Sequence, residues 1–254
     1  MHCRRCRFIL LSARWRNGAT SGASKAMTER ANLIAQSLDL VKKQVTTAAA
    51  GAGRSVDEIT LIAVTKTYPV SDVEILHNLG QRNFGENRSE EGAEKSAQVN
   101  GTWHYQGQVQ SRKLREIAGW ATYIHSIDSP DHALKLSRIC AELGKDISIF
   151  LQLSLDGAPD RGGVIATEIF ALAEKVSELP NIKLVGLMCV PPVSYEHQHA
   201  FSEIAQIHQS FVSTFAQAKS LSAGMSSDFE VAIAHGATHL RIGSQILGSR
   251  TYHP

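Results

Sequence analysis

Long apolar runs are missing from this 254-residue chain. None approaches the roughly 18 residues a helix needs to cross a bilayer, so a helical membrane anchor is excluded. Cysteine is scarce. Cys3, Cys6, Cys140 and Cys189 are too few and too scattered for a disulfide framework, and a reducing, cytoplasmic setting suits them best. Cys3-x-x-Cys6 has the spacing of half a zinc site, but no second pair follows, and no metal is expected. No G-x-G-x-x-G follows the first strand, so a Rossmann nucleotide site would lack its glycine turn. Internal repeats, low-complexity tracts and a domain linker after residue 27 are also missing.

Acidic residues are absent from positions 1–26, which carry Arg4, Arg5, Arg7, Arg14, Arg16 and Lys25. Setting those six aside leaves 20 basic against 24 acidic residues, so the net +2 of the chain becomes −4 for residues 27–254. That mildly acidic body carries no nucleic-acid footprint. Residues 1–26 are Arg- and Ser-rich and resemble a transit peptide in composition. The plainest reading is a disordered or non-native basic extension from an upstream start, with Met27 as the real beginning. The fold is then assigned to 27–254.

From Thr28 the pattern turns helical, with Leu33, Ile34, Leu38, Val41 and Val45 at three- and four-residue spacing until Gly51 and Gly53. Strands and helices then alternate. The spacing predicts strands near 59–66, 82–86, 102–107, 123–128, 146–154, 182–190, 221–225 and 238–243. Helices are predicted near 71–79, 88–98, 111–118, 130–143, 166–178, 196–219 and 228–235. Eight strands with helical crossovers suit an α/β fold, a single (β/α)8 TIM barrel with an extra N-terminal helix. An open doubly wound sheet is the structural alternative.

The most informative stretch closes the first strand. Ile59, Leu61, Ile62 and Val64 form a nearly unbroken apolar run, as in a parallel strand covered on both faces. It ends on Lys66. Such a lysine either snorkels to the surface or points into a pocket. In the second case its amine is partly desolvated and its pKa lowered from roughly 10.4, so that it can attack a carbonyl and form a Schiff base.

In a barrel, chemistry lies where strands end, and the loops after the last two strands commonly grip phosphate. Ser222-Ala223-Gly224-Met225-Ser226-Ser227-Asp228 leads into the seventh predicted helix, and Gly243-Ser244 follows the eighth strand. An ordinary helix cap explains the first equally simply. Arg241 could form a rim ion pair with Glu86 or another carboxylate, or donate to an acceptor nitrogen of a bound ring. Lys66, Arg241 and these loops together describe a ligand with an aldehyde, a ring nitrogen and a phosphate. Pyridoxal 5′-phosphate (PLP) has all three.

Six segments carry a resemblance. They are Ala63-Val64-Thr65-Lys66, Phe84-Gly85-Glu86-Asn87, Trp103-His104-Tyr105-x-Gly107-x-x-Gln110-x-x-Lys113, Gly186-Leu187-Met188, Gly224-Met225-Ser226-x-Asp228 and Arg241-Ile242-Gly243. In that order they resemble the pyridoxal-phosphate homeostasis proteins (the YggS/PROSC family), over about residues 30–252. That family is similar to the barrel of the fold-type III PLP enzymes such as alanine racemase. The resemblance implies Lys66 as the Schiff-base lysine and Ser226, Gly243 and Ser244 as phosphate ligands. It implies Arg241 as the partner of the pyridine nitrogen, and Asn87, His104 and Met225 as pocket residues. His104 alone reads more simply as a satisfied strand histidine. Arg88, Gln106 and Arg112 depart from the family's usual residues, and Asp160-Arg161-Gly162-Gly163 reads as a loop without chemistry.

An arginine at the ring nitrogen leaves that nitrogen unprotonated and weakens the ring as an electron sink. Racemisation needs acid–base groups on both faces of the substrate. In racemases of the related fold, the group opposite the lysine comes from a second domain and a partner subunit. This chain ends soon after the eighth strand, and Tyr68 and Tyr105 read as packing. The expectation is therefore a PLP-binding protein that holds the cofactor as a lysine aldimine in intracellular vitamin B6 homeostasis. A weak amino-acid racemase is the alternative. PLP-dependent apoenzymes are the implied partners, and a monomer is the expected state.

Overall fold

Each of the eight predicted strands forms, and the helices between them close the sheet on itself. The computed structural model describes residues 19–158 and 161–248, with side chains in the first helix described from Met27 onward. In chain order the elements are α1 (Ala19–Gly51), a 3-10 turn (Val56–Glu58), β1 (Thr60–Val64), α2 (Val70–Asn78), β2 (Asn83–Glu86), α3 (Ser89–Gln98), β3 (Thr102–Tyr105) and α4 (Leu114–Trp120). There follow β4 (Tyr123–Ile127), α5 (Pro130–Leu143), β5 (Ile147–Ser154), β6 (Val164–Ile165), α6 (Ala166–Ser177) and β7 (Ile182–Cys189). The last are α7 (His197–Thr214), β8 (Ser220–Ser222), α8 (Phe229–Ala234), β9 (His239–Ile242) and α9 (Ser244–Leu247).

The strand order is β4–β3–β2–β1–β9–β8–β7–β5, and β5 pairs in turn with β4, so eight strands close a barrel. Every pairing is parallel. The two-residue β6 only flanks β5 and was not foreseen. Closure removes the sheet edges that an open doubly wound alternative would leave.

Local sequence explains the element ends. α5 starts on Ser129, whose side chain accepts from the Asp131 N–H, with Pro130 in the first turn, and stops at Gly144 in the left-handed region (φ 63°). At Gly186 in β7 a Cβ would sit 1.7 Å from the Ser220 carbonyl oxygen, so the approach of β7 to β8 admits only glycine.

The apolar layer between sheet and helices includes Ile34, Leu38, Val41 and Val45 of α1 beside Phe84, Ile124, Leu187 and Phe229. α1 spans Ala19–Gly51, so its described part starts ahead of the predicted start at Thr28. Met27 lies within that helix. Positions 1–18, with Cys3 and Cys6, fall outside the described residues. Arg30 secures the helix through a bidentate pair with the buried Asp72 (3.1 and 2.5 Å) and a bond to the Leu247 carbonyl (3.0 Å). Among the described residues no helix is long and apolar enough to cross a membrane.

The barrel interior is more polar than the sequence suggests. Ile62, Phe150 and Met188 are buried but stand apart from the outer apolar layer. They share the interior with His104, His125, Ser222 and Arg241, all buried.

Candidate functional site

β1 ends at Val64, and its continuation is held unusually firmly. Thr65 donates its N–H to the Gly85 carbonyl (2.9 Å) and its hydroxyl to Glu86 Oε1 (2.6 Å). Its own carbonyl accepts from Lys95 Nζ (2.8 Å). Tyr68 N–H returns to the same carbonyl (3.1 Å), closing a four-residue turn with Lys66 at its second position. Thr67 sits at φ 72°, a region β-branched residues rarely enter. Its N–H donates to Glu91 Oε2 (2.8 Å), which helps hold that conformation in place.

Lys95 ties these groups together, bonding Glu86 (2.7 Å) and Glu91 (3.2 Å) while almost wholly buried. Burial pushes the Glu86 carboxyl above its usual range, and the Lys95 charge opposes that shift. The sequence gives little sign of this anchor, because Glu91 and Lys95 stand four apart on a helix, like any solvated pair. Glu86 thus belongs to Lys95. The rim ion pair with Arg241 that the sequence left open does not form.

Across the mouth, Gly224 turns the chain at φ 92° after β8. Asp228 reaches back so that its Oδ1 accepts the Met225 N–H (2.6 Å); it makes no side-chain cap on α8. The Ser244 hydroxyl donates to the Ser226 hydroxyl (3.1 Å), and Gln245 Nε2 to the Ser226 carbonyl (2.7 Å). Arg241, 6% exposed, donates to Ser222 Oγ (2.7 Å) and to the Cys189 carbonyl (3.0 Å). Burial lowers its guanidinium to about 10, which still leaves it cationic at neutral pH.

These parts surround one cleft of about 630 Å³, lined by Val64, Lys66, Asn87, Gln106, Met188, Val190, Met225, Ser226, Ser227, Arg241, Gly243 and Ser244. Seven of the eight residues singled out from sequence meet there: Lys66, Asn87, Met225, Ser226, Arg241, Gly243 and Ser244. His104 does not. It is fully buried inside the barrel, stacked on Tyr123 at 4.7 Å and bonded to His125 and Asn83. That corrects its place as a pocket residue and fits the satisfied strand histidine instead. Gln106, Met188, Val190 and Ser227 line the cleft unforeseen. Arg161, read as free of chemistry, donates to the Val190 carbonyl (2.6 Å) and lines an adjoining cavity with Gln106 and Gln152. Asp160 lies outside the described residues.

Among the described residues the lining carries no carboxylate. An amine, a buried guanidinium and paired hydroxyls suit a ligand with an electrophilic carbonyl, an acceptor ring atom and an anionic tail, so the residues present fit PLP.

Comparison with known proteins agrees with this architecture. The profile of the alanine racemase N-terminal domain matches residues 37–251. A pyridoxal phosphate homeostasis protein of Mycobacterium bovis is 36% identical over 247 residues, covering 89% of this chain and 96% of the relative. The structure of PipY from Synechococcus elongatus with PLP bound has a TM-score of 0.74 at 32% identity, covering 85% of this chain and all of PipY. An alanine racemase of Clostridium difficile shares the fold alone, with a TM-score of 0.64 at 15% identity and 57% of its chain covered.

Proposed function

The chain belongs to the pyridoxal phosphate homeostasis protein family, on the alanine racemase N-terminal domain fold, and from this we propose that its cleft holds PLP covalently through Lys66. The observation that carries the reading is the convergence of Lys66, Arg241 and the Ser226–Ser244 pair on one cavity. When bound, PLP supplies an electrophilic aldehyde and an electron-accepting ring.

The protein's own residues do the holding. The turn over 65–68 presents the Lys66 amine at the mouth. Ser226, Ser244 and the Gly243 backbone would hold the phosphate, and Arg241 would serve the ring nitrogen as a donor that keeps its proton at neutral pH. Asn87 and Met225 form part of the wall.

This arrangement suits custody of a reactive aldehyde better than racemisation. The two tyrosines that could oppose Lys66 have engaged hydroxyls: Tyr105 donates to the Gln108 carbonyl (2.9 Å) and Tyr68 to the Gly248 carbonyl (2.6 Å). Burial raises the Tyr105 phenol to about 12, away from a useful acid–base range. We read the protein as a cytoplasmic monomer in PLP homeostasis that passes the cofactor to PLP-dependent apoenzymes. The names of its relatives support the role in PLP homeostasis.

The test is intact mass and absorbance of protein purified from cells, with and without borohydride. The expected result is a reducible chromophore and a covalent increment mapping to Lys66, both lost in Lys66→Ala. An increment elsewhere, or none, overturns the assignment. Chiral analysis of alanine or serine after incubation is expected to show no racemisation.

A further inference from the structure

Two histidines and a serine lie fully buried in the barrel, outside the lining of the cleft. His104, His125 and Ser222 each have 0% exposure. Apolar side chains would fill that space with less desolvation cost. Their bonds form one continuous series. Arg241 Nη1 meets Ser222 Oγ at 2.7 Å. Ser222 Oγ meets His125 Nδ1 at 2.8 Å. His125 Nε2 meets His104 Nδ1 at 2.9 Å. His104 Nε2 meets Asn83 Oδ1 at 3.1 Å.

The two ends set the direction. Arginine can only donate, so Ser222 accepts from it and spends its single proton on His125 Nδ1. Asn83 Oδ1 can only accept, so His104 must carry its proton on Nε2 and receive from His125 Nε2–H on Nδ1. Each imidazole is then neutral with its proton on Nε2, and every donor in the series has an acceptor. Burial above all, then His104, His239 and the Arg241 charge, lower the basicity of His125, in keeping with that neutral state.

We propose that Ser222, His125 and His104 are positioning residues: a one-way hydrogen-bond chain, ending on Asn83, that fixes the Arg241 guanidinium against the ring nitrogen of bound PLP. The bond from Nη2 to the Cys189 carbonyl (3.0 Å) sets the second point of the plane. Beyond these two bonds the guanidinium keeps further N–H donors, and Arg241 lines the cleft. The inference rests on the assignment of PLP to this cleft.

The test uses the full chain loaded with PLP labelled with 15N at the ring nitrogen. Ser222→Ala and His125→Phe cut the chain at successive links. Both are expected to move the ring 15N resonance and to weaken PLP binding about tenfold, the loss of roughly one hydrogen bond to a charged group. Ser137→Ala is the matched control. It removes a buried hydroxyl bond to the Pro180 carbonyl (2.6 Å) on α5 and is expected to lower the melting temperature without moving the resonance.

Variants that bind PLP with the wild-type 15N resonance overturn the proposal. Should they fail to fold, histidine 15N spectra of the wild type decide it. Two neutral Nε2–H tautomers uphold the chain, and an Nδ1–H tautomer or an imidazolium at either position overturns it. Failure of the cleft assignment looks different, because wild-type protein would then show no bound pyridine signal at all, which overturns both.

Discussion

Single residues at the mouth divide into those whose chemistry shows in the sequence and those whose partners do not. Lys66 at the end of an apolar run is visible in one dimension, because a charged residue there needs a reason. Ser226 is weaker evidence alone, since a hydroxyl before a helix is an ordinary cap. Its pairing with Ser244 at 3.1 Å makes it a candidate anion grip. On the proposed phosphate role, Ser226→Ala would remove a hydrogen bond to a charged group, worth about 1.5–3 kcal/mol. Fluorescence titration is expected to show PLP binding weaker by about tenfold or more. An unchanged affinity would remove Ser226 from the phosphate site. His104 shows the opposite case: the resemblance placed it in the pocket, but its nitrogens are committed to His125 and Asn83.

At the scale of elements, α3 does more than cover the barrel. Through Lys95 and Glu91 it fastens the turn that carries Lys66. Lys95→Met leaves Glu86 as an uncompensated buried charge, at a cost of about 3–5 kcal/mol. Urea unfolding near pH 7.5 is expected to show that loss. Since burial already raises the Glu86 pKa, loss of Lys95 raises it further, and Glu86 then protonates more readily as pH falls. The deficit is therefore expected to shrink toward pH 5. A loss independent of pH would mean that Lys95 acts by packing alone. A double variant, Lys95→Met with Glu86→Leu, is expected to recover most of the stability while loosening the Lys66 turn.

For the whole molecule, the polar barrel interior implies a direction of acid sensitivity. Burial lowers His239 from 6.5 to about 4 and holds His104 and His125 well below their ordinary value. In the unfolded chain these groups take up protons near pH 6.5, whereas the folded barrel excludes them. Their contribution is therefore fully present above pH 6.5 and is lost as pH falls toward 4. His239 alone accounts for about 2–3 kcal/mol of that loss, after allowance for its partial exposure. Denaturant midpoints measured from pH 7 to pH 4.5 are expected to drop steeply, and His239→Phe to flatten the curve. A flat wild-type profile would show that the interior histidines are hydrated.

Periodicity and strand-end chemistry determined the alternation of elements, the count of eight barrel strands and the cluster of mouth residues. They could do so because burial on both faces of a strand, and helix start and stop signals, are local properties. The two-residue β6 and the four-residue α9 are too short to leave a periodic signal. Tertiary structure alone decided which charge meets which. Glu86 lies with Lys95 and not Arg241, and His104 with His125, because those bonds join side chains 9 to 21 residues apart that the packing of neighbouring strands and helices brings together. A buried hydrogen bond is a fact about neighbours in space, and the linear order of residues does not carry it.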